Sequence, residues 1–209
     1  MPLGSDGVTP TFTSLVLLAD GRYMLLIDNE STLNGSSVCK SMESGTYTYD
    51  ATAQQLTLTV IYDSSSTCGL YNGNTALPAT LIVPFTTAGK LTPPGTTTQF
   101  SFTKLATGTT AVGTWLVADT GSDFNVMINY ADGRFMYGIA NLGAPSTGVL
   151  GLESGTYTAT STTYTVNSIT YDGNGINGMS NALNLAMSVT PNPDANHVLL
   201  NGSTAMVRQ

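Results

Sequence analysis

The stretch ADGRY at residues 19–23, with ESGTYT at 43–48 and IYD at 61–63, returns as ADGRF at 131–135, ESGTYT at 153–158 and TYD at 170–172. Ala19 maps to Ala131, Glu43 to Glu153, Asp63 to Asp172 and Gly69 to Gly178, at offsets of 112, 110, 109 and 109. An offset this steady marks one unit of about 100 residues used twice. Within each copy the apolar residues alternate. Phe12, Ser14, Val16 and Leu18 share a face, then Tyr23, Leu25 and Ile27, then Leu56, Leu58, Val60 and Tyr62, with Leu81, Val83, Phe85, Phe100 and Phe102 after them. The second copy gives Phe124, Val126, Ile128 and Tyr130, then Phe135, Tyr137 and Ile139, and later Leu183, Leu185, Met187 and Val189. Period two in β-branched and aromatic residues predicts half-buried antiparallel strands. Asp20-Gly21, Asp132-Gly133 and Asn201-Gly202 have the chemistry of tight type I′ hairpins.

Eight strands are predicted in the second copy, running from 113–118 to 203–208, and seven in the first, where nothing before Thr11 matches Val112–Ala118. The expected fold class is all-β: two tandem antiparallel up-and-down β-barrels, an arrangement without exposed edges. A two-sheet sandwich is the alternative. Residues 1–10 read as tag or linker, 11–106 as the first barrel and 111–209 as the second, with Ala106–Thr110 connecting them.

Only 19 of 209 residues are charged, against 41% hydrophobic residues that include ten Tyr and six Phe. Disordered chains lack that apolar content. A net charge of −7, with six basic residues and no basic cluster, argues against nucleic acid and against an anionic membrane surface. No apolar run is long enough to span a bilayer as a helix. Cys39 and Cys68 correspond to Val149 and Asn177, so the second copy lacks both thiols together. That pattern predicts a Cys39–Cys68 disulfide, worth on the order of 3 kcal/mol in the chain-entropy model, and an oxidising compartment. Two unrelated buried thiols are the alternative.

The charges retained in both copies are Asp20/Asp132, Arg22/Arg134, Glu43/Glu153 and Asp63/Asp172, eight of the 19. They read either as a polar site in each barrel or as structure, with Arg22–Glu43 and Arg134–Glu153 paired across neighbouring strands to fix register. The structural reading is favoured. Asp172-Gly173-Asn174-Gly175 resembles the start of a calcium loop but lacks the distal bidentate Glu, and His197 has no partner for zinc. No metal and no cofactor is expected. There is no G-x-S-x-G nucleophile elbow, so catalysis is not expected either. Met127, Met136, Met179, Met187 and Met206 gather in the second copy, either as core filling or as an adaptable ligand pocket. Tyr47, Tyr49 and Tyr157 are candidates for stacking on sugars.

Gly113-Thr114-Trp115 opens the second copy and Arg208 closes it, a pairing that resembles the lipocalin/calycin pattern. The resemblance implies that Trp115 plugs the barrel floor and that Arg208 packs across it. The first copy has no such Trp and carries Lys104 in place of the Arg. Over the whole chain, DGRY…ESGTYT…D…G also resembles repeats in uncharacterised bacterial secreted proteins and lipoproteins, a likeness that implies no particular activity. Together these readings predict a non-catalytic binding module, extracellular, periplasmic or on the bacterial outer surface. Its partner would be a small apolar ligand, or a cell-envelope or glycan surface. An adhesive or structural repeat of a larger surface protein, with self-association, and a carbohydrate-binding module are the alternatives.

Overall fold

The computed structural model describes residues 3–4, 12–29, 39–65, 67–71, 73, 76–95, 97, 99–102, 105, 111–117, 123–143, 150–192 and 194–209. Lys104 and the connection Ala106–Thr110 lie outside them. The chain divides into two compact units, Met1–Lys104 and Leu105–Gln209. Both are all-β; among the described residues the only helical pieces are the 3-10 turns Gly175–Asn177 and Ser180–Ala182. No described helix is long and apolar enough to cross a membrane.

The second unit is a closed barrel. Its strands are β9 (Gly113–Val117), β10 (Asp123–Asn129), β11 (Arg134–Asn141), β12 (Gly151–Ala159), β13 (Thr163–Asp172), β14 (Ala186–Pro191), β15 (His197–Leu200) and β16 (Thr204–Arg208). Each pairs antiparallel with its successor, and β16 returns to β9 through Met206↔Val117 and Arg208↔Trp115. Closure satisfies every edge. The strand expected over 182–189 begins only at Ala186, because the Ser180–Ala182 turn leaves Leu183 and Leu185 exposed.

The first unit corrects the expectation of twin barrels. It holds β1 (Leu3–Gly4), β2 (Phe12–Leu17), β3 (Arg22–Asn29), β4 (Cys39–Asp50), β5 (Gln55–Asp63), β6 (Ala79–Pro84), β7 (Lys90–Leu91) and β8 (Phe100–Phe102). Strands β2 to β6 form one five-stranded sheet and β1-β8-β7 a separate three-stranded one. Among the described residues one bridge, Phe85↔Leu91, joins the residue that follows β6 to β7 in the second sheet. Leu3–Gly4, read from sequence as part of a tag or linker, pairs with β8, and β8 and β7 are only three and two residues long. Ladders this short do not close a cylinder. One cluster nevertheless joins both sheets: Leu15, Tyr23, Leu25, Leu56, Leu58 and Val83 pack with Phe85, Leu91 and Phe102. The Cys39–Cys68 disulfide lies in the same cluster.

Register fixes which side chains face inward. In β10 these are Asn125, Met127 and Asn129, aligned with Trp115, Val117 and Tyr137, so Phe124, Val126 and Ile128 point outward although they too are buried. The same holds for β2, where Thr13, Leu15 and Leu17 align with inward Ile27, Leu25 and Tyr23. Alternation finds a strand but does not say which side is inside when both are buried.

The Asp-Gly turns are not type I′. Gly21 and Gly133 have φ of +87° and +85°, but neither Asp20 nor Asp132 has positive φ. Leu18 N donates to Arg22 O and Gly21 N to Leu18 O, the bonding of a three-residue hairpin loop that ends in a left-handed glycine. Asn201-Gly202 does carry positive φ at both residues, +52° and +69°.

Gly45 and Gly155 sit where β4 and β12 shift register against their neighbours. A Cβ there would lie 1.9 Å from Thr59 O and from Ser168 O respectively. Backbone blocks the space, so no rotamer relieves the clash. Gly155→Ala is expected to cost about 3 kcal/mol or more in chemical denaturation. Replacing Cys39 and Cys68 by Ser is expected to destabilise the first unit by about 3 kcal/mol, measured as a lower denaturant midpoint.

Candidate functional site

The repeated motif resolves into a set of structural ties. Asp20 Oδ1 accepts from Arg22 N at 3.1 Å and Oδ2 from Arg22 Nε at 2.7 Å; Asp132 and Arg134 repeat this at 3.1 and 2.8 Å. Each Arg thus clamps its own hairpin turn. The expected Arg–Glu register pairs do not form: Arg22 aligns with Thr46 and Glu43 with Leu25, which puts Arg22 and Glu43 on opposite faces of the sheet. Arg134 and Glu153 are separated in the same way, aligned with Thr156 and Tyr137. Tyr47 and Tyr157 tie the turn from the other side, each hydroxyl donating at 2.9 Å to Leu18 O or Tyr130 O.

Glu43 and Glu153 are fully buried and hold a loop at the far end of the sheet. Glu43 Oε2 accepts from Leu70 N at 3.0 Å and Tyr71 N at 2.8 Å, and Oε1 from the Tyr23 hydroxyl at 2.8 Å. Glu153 accepts from Met179 N at 2.9 Å. Phe135 stands in the place of Tyr23 and has no hydroxyl; there Asn174, its amide assigned with the nitrogen toward the two acids, donates to Glu153 Oε2 and Asp172 Oδ1, both at 3.1 Å. Gly69 and Gly178 lie directly beneath these carboxylates, where a Cβ would come within 2.9 Å of Glu43 Oε2 or 1.8 Å of Glu153 Oε2. Asp63 and Asp172 align with the glutamates and turn the chain into that loop, accepting from Ser65 N and Gly175 N. The charges that recur are therefore occupied by the fold.

Burial pushes Glu153 up to about 7, with the nearby Asp172 charge adding and the Met179 amide opposing. Burial likewise raises Asp63 to about 7, reinforced by Glu43. Among the described residues no three His, Cys, Asp or Glu side chains gather as a metal would require. His197, exposed, bonds through Nδ1 to Asp194 at 3.0 Å.

A cavity of about 180 Å³ opens inside the second barrel, at the opposite end of the β12–β13 hairpin from Glu153. Its walls are Trp115, Met127, Tyr164, Val198, Leu200 and Met206, all buried, and exposed Thr160, Ser161, Pro191 and Ala195 form its rim. One polar side chain, Asn129, is buried in the lining: Nδ2 donates to Ala111 O at 3.0 Å and Oδ1 accepts from the Tyr164 hydroxyl at 2.9 Å. Trp115 Nε1 shares the Ala111 carbonyl at 2.7 Å. The Arg208 guanidinium stands 4.5 Å from the Trp115 ring centroid, so this Trp carries the cation on its ring and also lines the cavity. Tyr164 stacks on Tyr157 at 5.0 Å and 9°. Tyr157, one of the sugar-stacking candidates, is thus an interior residue; Tyr49 is part-exposed.

The first unit places aromatic rings at the equivalent positions. Tracing register through Leu56 and Tyr164, Val83 corresponds to Met187, Phe85 to Val189 and Phe102 to Met206. The rings of Tyr49, Phe85 and Phe102 meet edge-on at 6.1 Å and border a wider and more open depression of about 480 Å³. Sequence reading placed Met127 and Met206 among residues able to form a pocket but missed Asn129 and Tyr164. The sequence clue to Asn129 was its place, with Asn125, at the parity of Met127 and opposite that of Phe124, Val126 and Ile128.

No family model matches the chain, and no curated protein or solved structure matches it.

Glu153 and Asp63 hold protons in the folded protein that the unfolded chain, with carboxyls near 4, has released by neutral pH. Their contribution to stability is complete below about pH 4 and is lost as pH rises through about 7. The melting temperature is therefore expected to fall by several degrees between pH 5 and pH 8. Glu153→Gln should flatten that slope while keeping the acid-side value, and an unchanged slope would contradict the assignment.

Proposed function

We propose that this protein is a non-catalytic binding module that takes a small, mainly apolar molecule into the barrel of its second unit. The observation carrying this reading is the cavity itself: a chamber of about 180 Å³ inside a closed barrel, walled by buried apolar side chains. An eight-stranded barrel has space for side chains or for one small ligand, and here the smaller Val189 and the flexible Met206 replace two phenylalanines. Apolar walls around a few placed polar groups are the usual make-up of such sites. The absence of catalysis belongs to the same reading, since the repeated carboxylates are engaged by backbone amides. Export to an oxidising compartment, at the cell surface or in the periplasm, is supported by the Cys39–Cys68 bond. A bacterial origin rests on the repeat resemblance alone.

Trp115 is the sole tryptophan and lines the cavity, so its fluorescence reports occupancy. Apolar probes should shift its emission, and native mass spectrometry should show one molecule bound. Val189→Phe, which puts into the chamber the ring that Phe85 supplies in the first unit, should abolish both signals without loss of melting temperature. Probe binding undiminished in that variant would place the site elsewhere.

A further inference from the structure

We infer that the ligand of the second barrel is a neutral, flat ring compound of roughly six to ten non-hydrogen atoms carrying one hydrogen-bonding group, held by Asn129. The inference rests on the binding function proposed above and narrows it to a chemical class.

Size comes first. A dry cavity of about 150 Å³ lined by apolar side chains accommodates benzene; one of about 180 Å³ admits a substituted or small fused ring and excludes a fatty acyl chain or a sterol. Charge is excluded next. No lining residue is ionised, because Tyr164 is the one titratable group there and burial holds its hydroxyl well above its usual value. An anion or cation would lose its hydration and meet no charged side chain in the lining, Arg208 standing against Trp115 and outside it.

Shape and polarity then follow from the walls. Trp115 and Tyr164 present flat rings, and the thioethers of Met127 and Met206 suit contact with an aromatic edge. Asn129 is 1% exposed and incompletely used. Of its two amide hydrogens one goes to Ala111 O, and of its two carbonyl lone pairs one takes the Tyr164 proton. One donor and one acceptor position remain on a buried amide in the cavity wall. A ligand hydroxyl can satisfy both, since it donates and accepts; a hydrocarbon leaves them unmet, and an unsatisfied buried polar group is costly. The site therefore discriminates in favour of the hydroxylated ring over its methyl analogue.

Isothermal titration of the full chain with phenol, toluene, benzoate and decanoate tests this. Phenol is expected to bind about ten-fold more tightly than toluene, with no measurable binding of benzoate or decanoate. Asn129→Leu should abolish the preference, so that phenol and toluene bind equally; should that variant not fold, the phenol-to-toluene ratio of the wild type decides alone. Toluene equal to phenol, or benzoate or decanoate binding better than either, would overturn the assigned class while leaving a binding barrel in place. No binding of any of the four at millimolar concentration would overturn the binding function as well as the ligand class.

Discussion

A carboxylate without solvent exposure is among the more expensive groups a small β protein can carry, and this chain carries one in each copy. Glu43 and Glu153 are tolerated because backbone N–H groups of a glycine loop converge on them. The interaction works in both directions. The loop has amides that no strand partner satisfies, and the carboxylate has oxygens that no solvent reaches. Their meeting needs a residue without a Cβ directly beneath the oxygens, and Gly69 and Gly178 provide it. Each then depends on an Asp that turns the chain out of its strand at the right residue. Glu, Asp and Gly therefore recur together, the Asp 19 or 20 residues after the Glu and the Gly six after the Asp, as one device.

The two copies share this latch and differ in how they finish the fold. The first keeps a continuous apolar cluster across two sheets, fills it with phenylalanine rings and cross-links it by a disulfide. A unit completed in that way does not need full strand pairing around its girth. The second has no cross-link, and it closes its hydrogen-bond ladder completely. Stability comes from interior packing in one case and from an unbroken circuit of strands in the other.

Much of this architecture was legible from the chain alone. Strand positions in the second copy followed from alternation and turn residues, and the disulfide from the joint loss of both thiols. What escaped was direction. Phe124, Val126 and Ile128 form the more apolar face of β10, yet the barrel interior takes Asn125, Met127 and Asn129. Hydrophobicity marks burial, not the inside of a particular cylinder. The Arg–Glu pairing failed for a related reason: strand parity puts the two residues on opposite faces, and parity is countable only once the register is known. The hollow itself could not be foreseen, because it arises from Phe85 becoming Val189 and Phe102 becoming Met206, an equivalence visible only through strand pairing across insertions of unequal length.

The Glu153 latch and the Asn129 chamber occupy opposite ends of the same hairpin. Residues that keep the second unit folded are thus spatially separate from those that would choose its guest. Substitutions at Val189, Leu200 or Met206 can reshape the chamber without disturbing the carboxylate and its loop. A frame fixed at one end and an interior open to change at the other lets the contents of this barrel be altered without altering its form.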